Sequence, residues 1–199
     1  MTRRDLMAAG PLALSLPAWA APVTPPQEFK SDAPVPRQSP EYAVKLVNGQ
    51  QLLFSGYRGK LLAAEFLLTT CPHCQHTAEV LQKLYTQYEP QGLQVIGIAI
   101  NTENGEAQRA IPQFIKEHKL TFPVGMAPSR EGVYEYLQRS YMDRMLMPQM
   151  VFLDRKGVIQ NQFAGDNTLF TEPVEDHLKA VIQKLMKPAA PVAATRKTK

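Results

Sequence analysis

Cys71 and Cys74 are the only two cysteines in the 199 residues, and Pro72 and His73 stand between them. Residues 61–68, just upstream, are almost entirely apolar, as in a strand covered on both faces. Pro72 falls where the next element would place its first helical residue, with its φ already set and its missing N–H no loss. Cysteines at i and i+3 across a first helical turn lie close enough to close a disulfide with little strain. At the start of that helix Cys71 meets unpaired backbone N–H groups and the positive end of the dipole, both of which favour thiolate over thiol. Stabilising the thiolate stabilises the reduced form and makes the disulfide more oxidising. His73, exposed wherever Cys71 is, adds a charge or a hydrogen bond at the same end and is the residue expected to tune the potential. The predicted centre is a redox-active Cys71–Cys74 disulfide with no further cofactor and no metal.

Other uses of two cysteines fit less well. A zinc site needs a second Cys or His pair, and the four histidines do not supply one at zinc-finger spacing. A purely structural disulfide gains little from closing so short a loop. Two inert core thiols would be poorly served by Pro and His between them.

Glu65 is the only charge in residues 61–68 and lies six positions before Cys71. A carboxyl inside a sheet is costly unless it is neutral or hydrogen-bonded. A raised-pKa acid under the dithiol can take the proton of Cys74 when that thiol attacks a mixed disulfide. The competing reading puts Glu65 at an edge position, in water.

The remaining elements follow from periodicity. Residues 42–54 read as a hairpin around Asn48-Gly49, and 58–60 as a turn into the central strand. Residues 72–89 form a helix that carries Cys74 one turn inside its start, with His76 on the surface, and 94–100 a second buried strand. The resulting βαβ unit requires a right-handed crossover. Residues 107–118 should be helical, with Pro112 breaking or kinking the helix. Residues 122–126 read as a short strand and 133–137 as part of a helix. Pro148 heads an alternating strand over 149–153, a place open to proline, and 154–157 turn a hairpin. A cis Met147–Pro148 bond would turn the Met147 backbone toward the cysteines, where an extended substrate segment can pair as an added strand. Met142, Met145, Met147 and Met150 cluster around Pro148 and read as a flexible apolar docking surface. Thr171 should cap a last amphipathic helix through Leu185.

The runs 44–52 and 57–62, the strand into Cys71-Pro72-His73-Cys74, and the stretch from Met147-Pro148 to Ile159 together resemble a known family. They are similar to thioredoxin-fold thiol–disulfide oxidoreductases of the exported TlpA/ResA-like branch of the redoxin, or AhpC/TSA, superfamily, over residues 41–186. The resemblance implies an α/β, thioredoxin-like three-layer fold. Its central mixed sheet is flanked by helices and carries a TlpA-type β/α insertion and an N-terminal β-hairpin. It implies catalytic roles for Cys71, Cys74, Glu65, His73 and a cis Pro148, and substrate contact at Thr70, Pro72 and Met147. It also implies protein thiols or disulfides as substrates, an upstream electron donor or acceptor, and an acid near the site at Glu103 or Glu106, although these two read more simply as charges opposing the dipole at a helix N-terminus. Glu65 occupies the position of thioredoxin's buried acid. Thr70 stands where the family usually has Trp, Gln149 and Met150 where it often has Thr-Thr, and the Pro-His pair is that of DsbA-type oxidants.

Two other functions use the same residues. A peroxiredoxin-like thiol peroxidase needs a Thr-x-x-Cys arrangement, and neither Thr69 nor Thr70 is three residues before a cysteine. A copper metallochaperone would combine the cysteines, a histidine and the methionine thioethers, which suit Cu(I).

Composition sets the outer bounds. With 44% apolar residues the chain suits one domain with a proper core and flexible ends. Lys and Arg number 22 against 18 Asp and Glu, and Arg196, Lys197 and Lys199 supply most of the excess, so a nucleic-acid groove is not expected. Residues 1–20 read as an export signal, with Arg3 and Arg4, an apolar run over 6–16 and the cleavage-like Ala18-Trp19-Ala20. Both general secretion and a twin-arginine route fit it. Export places the chain in the periplasm or outside the cell, where disulfides persist. No stable membrane span is expected after cleavage, and an uncleaved signal would anchor the chain. Residues 21–40 read as a Pro-rich linker and 187–199 as a disordered Ala/Pro/Lys tail.

Overall fold

The computed structural model describes residues 28–100 and 105–187. The export signal, the polar stretch 101–104 with Glu103, and all but the first residue of the tail lie outside them. An eight-stranded mixed sheet forms the middle layer. Its strands are β1 (Arg37–Gln38), β2 (Ala43–Lys45), β3 (Gln51–Leu53), β4 (Leu61–Leu67), β5 (Leu93–Ala99), β6 (Val124–Met126), β7 (Gln149–Leu153) and β8 (Val158–Phe163). They are ordered β1-β8-β7-β4-β5-β6-β2-β3. The helices are α1 (Pro72–Tyr88), α2 (Glu106–Glu117), α3 (Arg130–Tyr136) and α4 (Val174–Met186).

Centrality explains why β4 reads as one apolar run. It is paired in parallel with β5 and antiparallel with β7, and all seven of its residues are buried. Its side chains alternate between two cores. Leu61, Ala63 and Leu67 face α1, α2 and α4, whereas Leu62, Ala64 and Phe66 face α3 and the rings of Tyr42, Phe54 and Tyr136. Glu65 therefore points to the α1 side, where Cys74 also lies. The predicted hairpin is present as β2 and β3 and closes one end of the sheet, with Lys45 opposite Met126.

Several expectations need correction. Residues 28–40 are packed on the domain rather than extended as a tether. Phe29 is buried in the α1-side core, Asp32 N–H donates to Gln162 carbonyl at 2.8 Å, and β1 pairs with β8. Pro112 does not end its helix; α2 runs through it, with the ring on the exposed side where the lost backbone bond faces water. Thr171 does not cap α4. Pro173 holds the N-cap position, and the carboxylate of Glu172 accepts the Val174 N–H at 3.3 Å. Met150 belongs to no surface, because β7 buries it opposite Glu65.

Candidate active site

The dithiol sits where β4 hands over to α1. Leu68 carbonyl accepts the Cys71 N–H at 3.0 Å, and Cys71 carbonyl accepts the Gln75 N–H at 3.0 Å, closing the first helical turn. The Gln75 side chain donates back to Thr69 carbonyl at 2.9 Å and ties the loop to the helix. Cys71 is the N-cap residue, in extended backbone, and Pro72 follows at N1. No side chain caps this end, so its N–H groups stay available to the sulfur beside them.

The two thiols are free and differ in access: Cys71 is half-buried and Cys74 wholly buried. Burial pushes the Cys74 thiol up, and the Glu65 carboxylate and the Cys71 sulfur push the same way against a backbone hydrogen bond from Leu68. Glu65 has no solvent exposure, and neither of its oxygens has a hydrogen-bond partner among the described residues. Desolvation, with the Cys71 sulfur second, raises its carboxyl well above the ordinary carboxylate range. Gly97, opposite Glu65 on β5, adds no side chain to that face.

Of the other predicted residues, Thr70, Pro72 and His73 are exposed around Cys71. Met147 is half-buried and packs against both cores, and Pro148 is buried behind a cis Met147–Pro148 bond. The β4–β7 register sets Gln149 against Phe66, which brings the 147–148 segment alongside the dithiol loop. His76 is exposed and paired with Glu172 at 3.1 Å. Glu106 opens α2 and lines a groove of about 480 Å³ with Leu68, Tyr134, Met142, Met145 and Met147. Met142 is 91% exposed at its mouth.

Sequence reasoning missed Gly165. A Cβ there would lie 2.4 Å from Met147 carbonyl oxygen, and its own N–H donates to Leu146 carbonyl at 3.2 Å. The backbone beyond β8 thus rests directly on the segment before Pro148. Nothing marks this glycine out among 11 in the sequence.

Comparison with known proteins covers most of this region. The AhpC/TSA family matches the chain over residues 35–162. The thiol-disulfide oxidoreductase ResA of Bacillus thuringiensis subsp. konkukian is 23% identical over 145 residues, covering 73% of this chain and 77% of that one. The thioredoxin-like protein YneN of Bacillus subtilis is 26% identical over 134 residues, 66% of this chain and 72% of its own. Among solved structures, a thiol:disulfide interchange protein of the thioredoxin family from Chlorobium tepidum TLS superposes with a TM-score of 0.61 at 17% identity. It covers 78% of this chain and 99% of its own. That likeness shows a thioredoxin-like fold.

Proposed function

Since the chain belongs to the AhpC/TSA family, and its free cysteines stand at a helix start over a buried acid, we propose that it is an extracytoplasmic thiol–disulfide oxidoreductase acting on protein substrates. The observation that carries this reading is the pairing of a reachable Cys71 with a sealed Cys74 above Glu65. The relatives named as thiol-disulfide oxidoreductases support it, and the export signal read in residues 1–20 supports the compartment.

The chemistry runs in two displacements. Cys71 thiolate attacks one sulfur of a substrate disulfide; a mixed disulfide forms and the other substrate sulfur leaves as a thiolate. Cys74 then gives its proton to Glu65 and attacks the Cys71 sulfur. The Cys71–Cys74 disulfide forms and the substrate leaves with both its sulfurs reduced. Burial first and the Cys71 sulfur second raise the Glu65 carboxyl, and the sulfur's charge disappears when the mixed disulfide forms. The carboxyl can then lose its proton to solvent, and the carboxylate left behind accepts that of Cys74. In the opposite direction a substrate thiolate attacks Cys71, Cys74 leaves, and protonated Glu65 returns its proton. Thr70, Pro72 and Met147 border Cys71 and meet the substrate chain, while a separate donor or acceptor resets the pair.

Single-cysteine variants test this. Cys74→Ser should accumulate a covalent complex with a disulfide-bearing protein, released by a small thiol, and Cys71→Ser should form none. A complex of equal yield in both, or unaltered turnover in either, would overturn the reading.

A further inference from the structure

The end of the sheet opposite the dithiol collects cations. β7 runs antiparallel to β4 with Leu153 opposite Leu62, so the turn after β7 lies at the start of β4, whereas Cys71 follows its finish. Seven strand residues separate the two ends, a span of about 20 Å. At the far end Arg58, Lys60, Arg155, Lys156, Lys184 and Lys187 are all exposed. Backbone contacts fix them as one surface. Gly59 N–H donates to Arg155 carbonyl at 2.8 Å, Arg155 guanidinium reaches Met186 carbonyl at 3.4 Å, and Arg58 lies over Gly157 where a Cβ would strike its guanidinium.

An open cleft of about 610 Å³ between this turn and the end of α4 is lined by Arg155, Lys156, Lys184 and Lys187, with Leu185 and Gln160 between them. Its one carboxylate, Asp154, is occupied by its own turn, accepting from Lys156 N–H, Val158 N–H and the Gln160 amide. Glu28 pairs with Lys184 at 2.7 Å, and Glu89, in the turn before β5, does not line the cleft. Arg196, Lys197 and Lys199 follow in the sequence after Lys187.

We infer that this face docks on the anionic phospholipid headgroups of a bilayer and holds the dithiol on the side away from it. Flexible lysines suit headgroups that are mobile rather than fixed in geometry. The choice of a bilayer over an acidic protein rests on where the described chain begins and ends. Glu28 is paired to the same helix end at which Lys187 finishes, so an uncleaved signal, with its apolar run 6–16 behind Arg3 and Arg4, joins the domain at this face. This placement stands apart from the redox reading, since none of these residues touches the cysteines.

Co-sedimentation of the full chain with vesicles tests it. With its signal uncleaved the full chain would bind any bilayer through the apolar run, so the quantity read is the excess on phosphatidylcholine vesicles doped with phosphatidylglycerol over phosphatidylcholine alone. Each basic side chain near an anionic surface is worth about fivefold, so Arg155→Glu, Lys156→Glu and Lys187→Glu together, which also add three repelling carboxylates, should cut the excess by at least about a hundredfold. The excess should also vanish as salt rises from about 0.1 M to about 1 M. Lys45→Glu, Lys83→Glu and Lys116→Glu, equal in charge and elsewhere on the surface, should leave it nearly intact. Turnover of a soluble disulfide substrate by the first triple variant, at the wild-type rate, reports its folding. No excess for the wild type, an excess that survives the first triple variant, or an equal loss in the second would each overturn the inference. Polyglutamate binding through the same residues, with no preference for anionic vesicles, would overturn it in favour of an acidic protein.

Discussion

The carboxyl of Glu65 and the thiol of Cys74 are both sealed on the α1 side of the sheet, and charge on the first pushes the pKa of the second up. A carboxyl without a hydrogen-bond partner in such a place opposes folding whenever it is ionised.

That opposition has a definite pH dependence. The folded-state pKa of Glu65 is raised above its ordinary 4.5, so between those values the folded chain holds a proton that the unfolded chain has lost. The contribution of Glu65 to stability is therefore most favourable below the ordinary value and falls as pH rises toward the folded one, by up to about 1.4 kcal/mol per pH unit. Glu65→Gln removes this slope and should leave the protein more stable at neutral pH. Urea unfolding across a pH series measures it, and parallel curves for the two proteins would refute the argument.

The same substitution should cost function. Without a proton acceptor beside it, Cys74 resolves the mixed disulfide roughly a hundredfold more slowly. Rapid-quench analysis should show Glu65→Gln accumulating the intermediate while its formation by Cys71 is little changed. A gain in stability with a loss of resolution rate separates a positioned base from a packing residue, which would lose both.

His73 is exposed in the first turn of α1, two residues from Cys71. A cationic or hydrogen-bonding imidazole there stabilises the reduced pair, so His73→Ala should lower the reduction potential. A loss of about 1.4 kcal/mol corresponds to about 30 mV for this two-electron couple. Equilibration with glutathione reads the shift directly, and a potential that does not move removes His73 from this role.

Gly165 controls the segment before Pro148 by close approach. The Cβ of Gly165→Ala would meet backbone atoms of Met147 and Leu146 at 2.4 to 2.9 Å, so that segment must move. Displacement by about 1 Å at a substrate-positioning element costs up to about a hundredfold. KM for a protein disulfide should rise markedly in this variant, while alkylation of Cys71 by a small reagent keeps its rate. Equal effects on both reagents would mean that the whole dithiol loop had shifted.

Much of this was legible in the sequence because local chemistry decided it. An apolar run, a proline at a helix start and cysteines three apart specify strand, turn and thiol placement without reference to distant residues. A lone carboxyl in a buried strand gave Glu65 away for the same reason. Gly165 and the burial of Met150 were not legible, since both depend on which strand lies beside which, and one residue's register decides the face. That Pro112 does not break its helix was not legible, because helix propensity is a weak prior where packing of Ile111 and Phe114 holds the turn.

The N-terminal segment shows the same limit, and it can be tested. Six prolines in residues 21–40 read as a free tether, yet Phe29 is only 8% exposed and its ring lies 4.8 Å from that of His177 on α4. One large apolar side chain among prolines gives no periodicity, so nothing local shows that a core awaits it. Removing a buried Phe ring costs about 3 kcal/mol where the site cannot collapse. Phe29→Ala should therefore lower the unfolding free energy by that order, and Phe29→Leu by less than half as much. A surface tether would give no change in either, so urea melts of the two variants decide whether the folded unit begins near residue 28 or near residue 41.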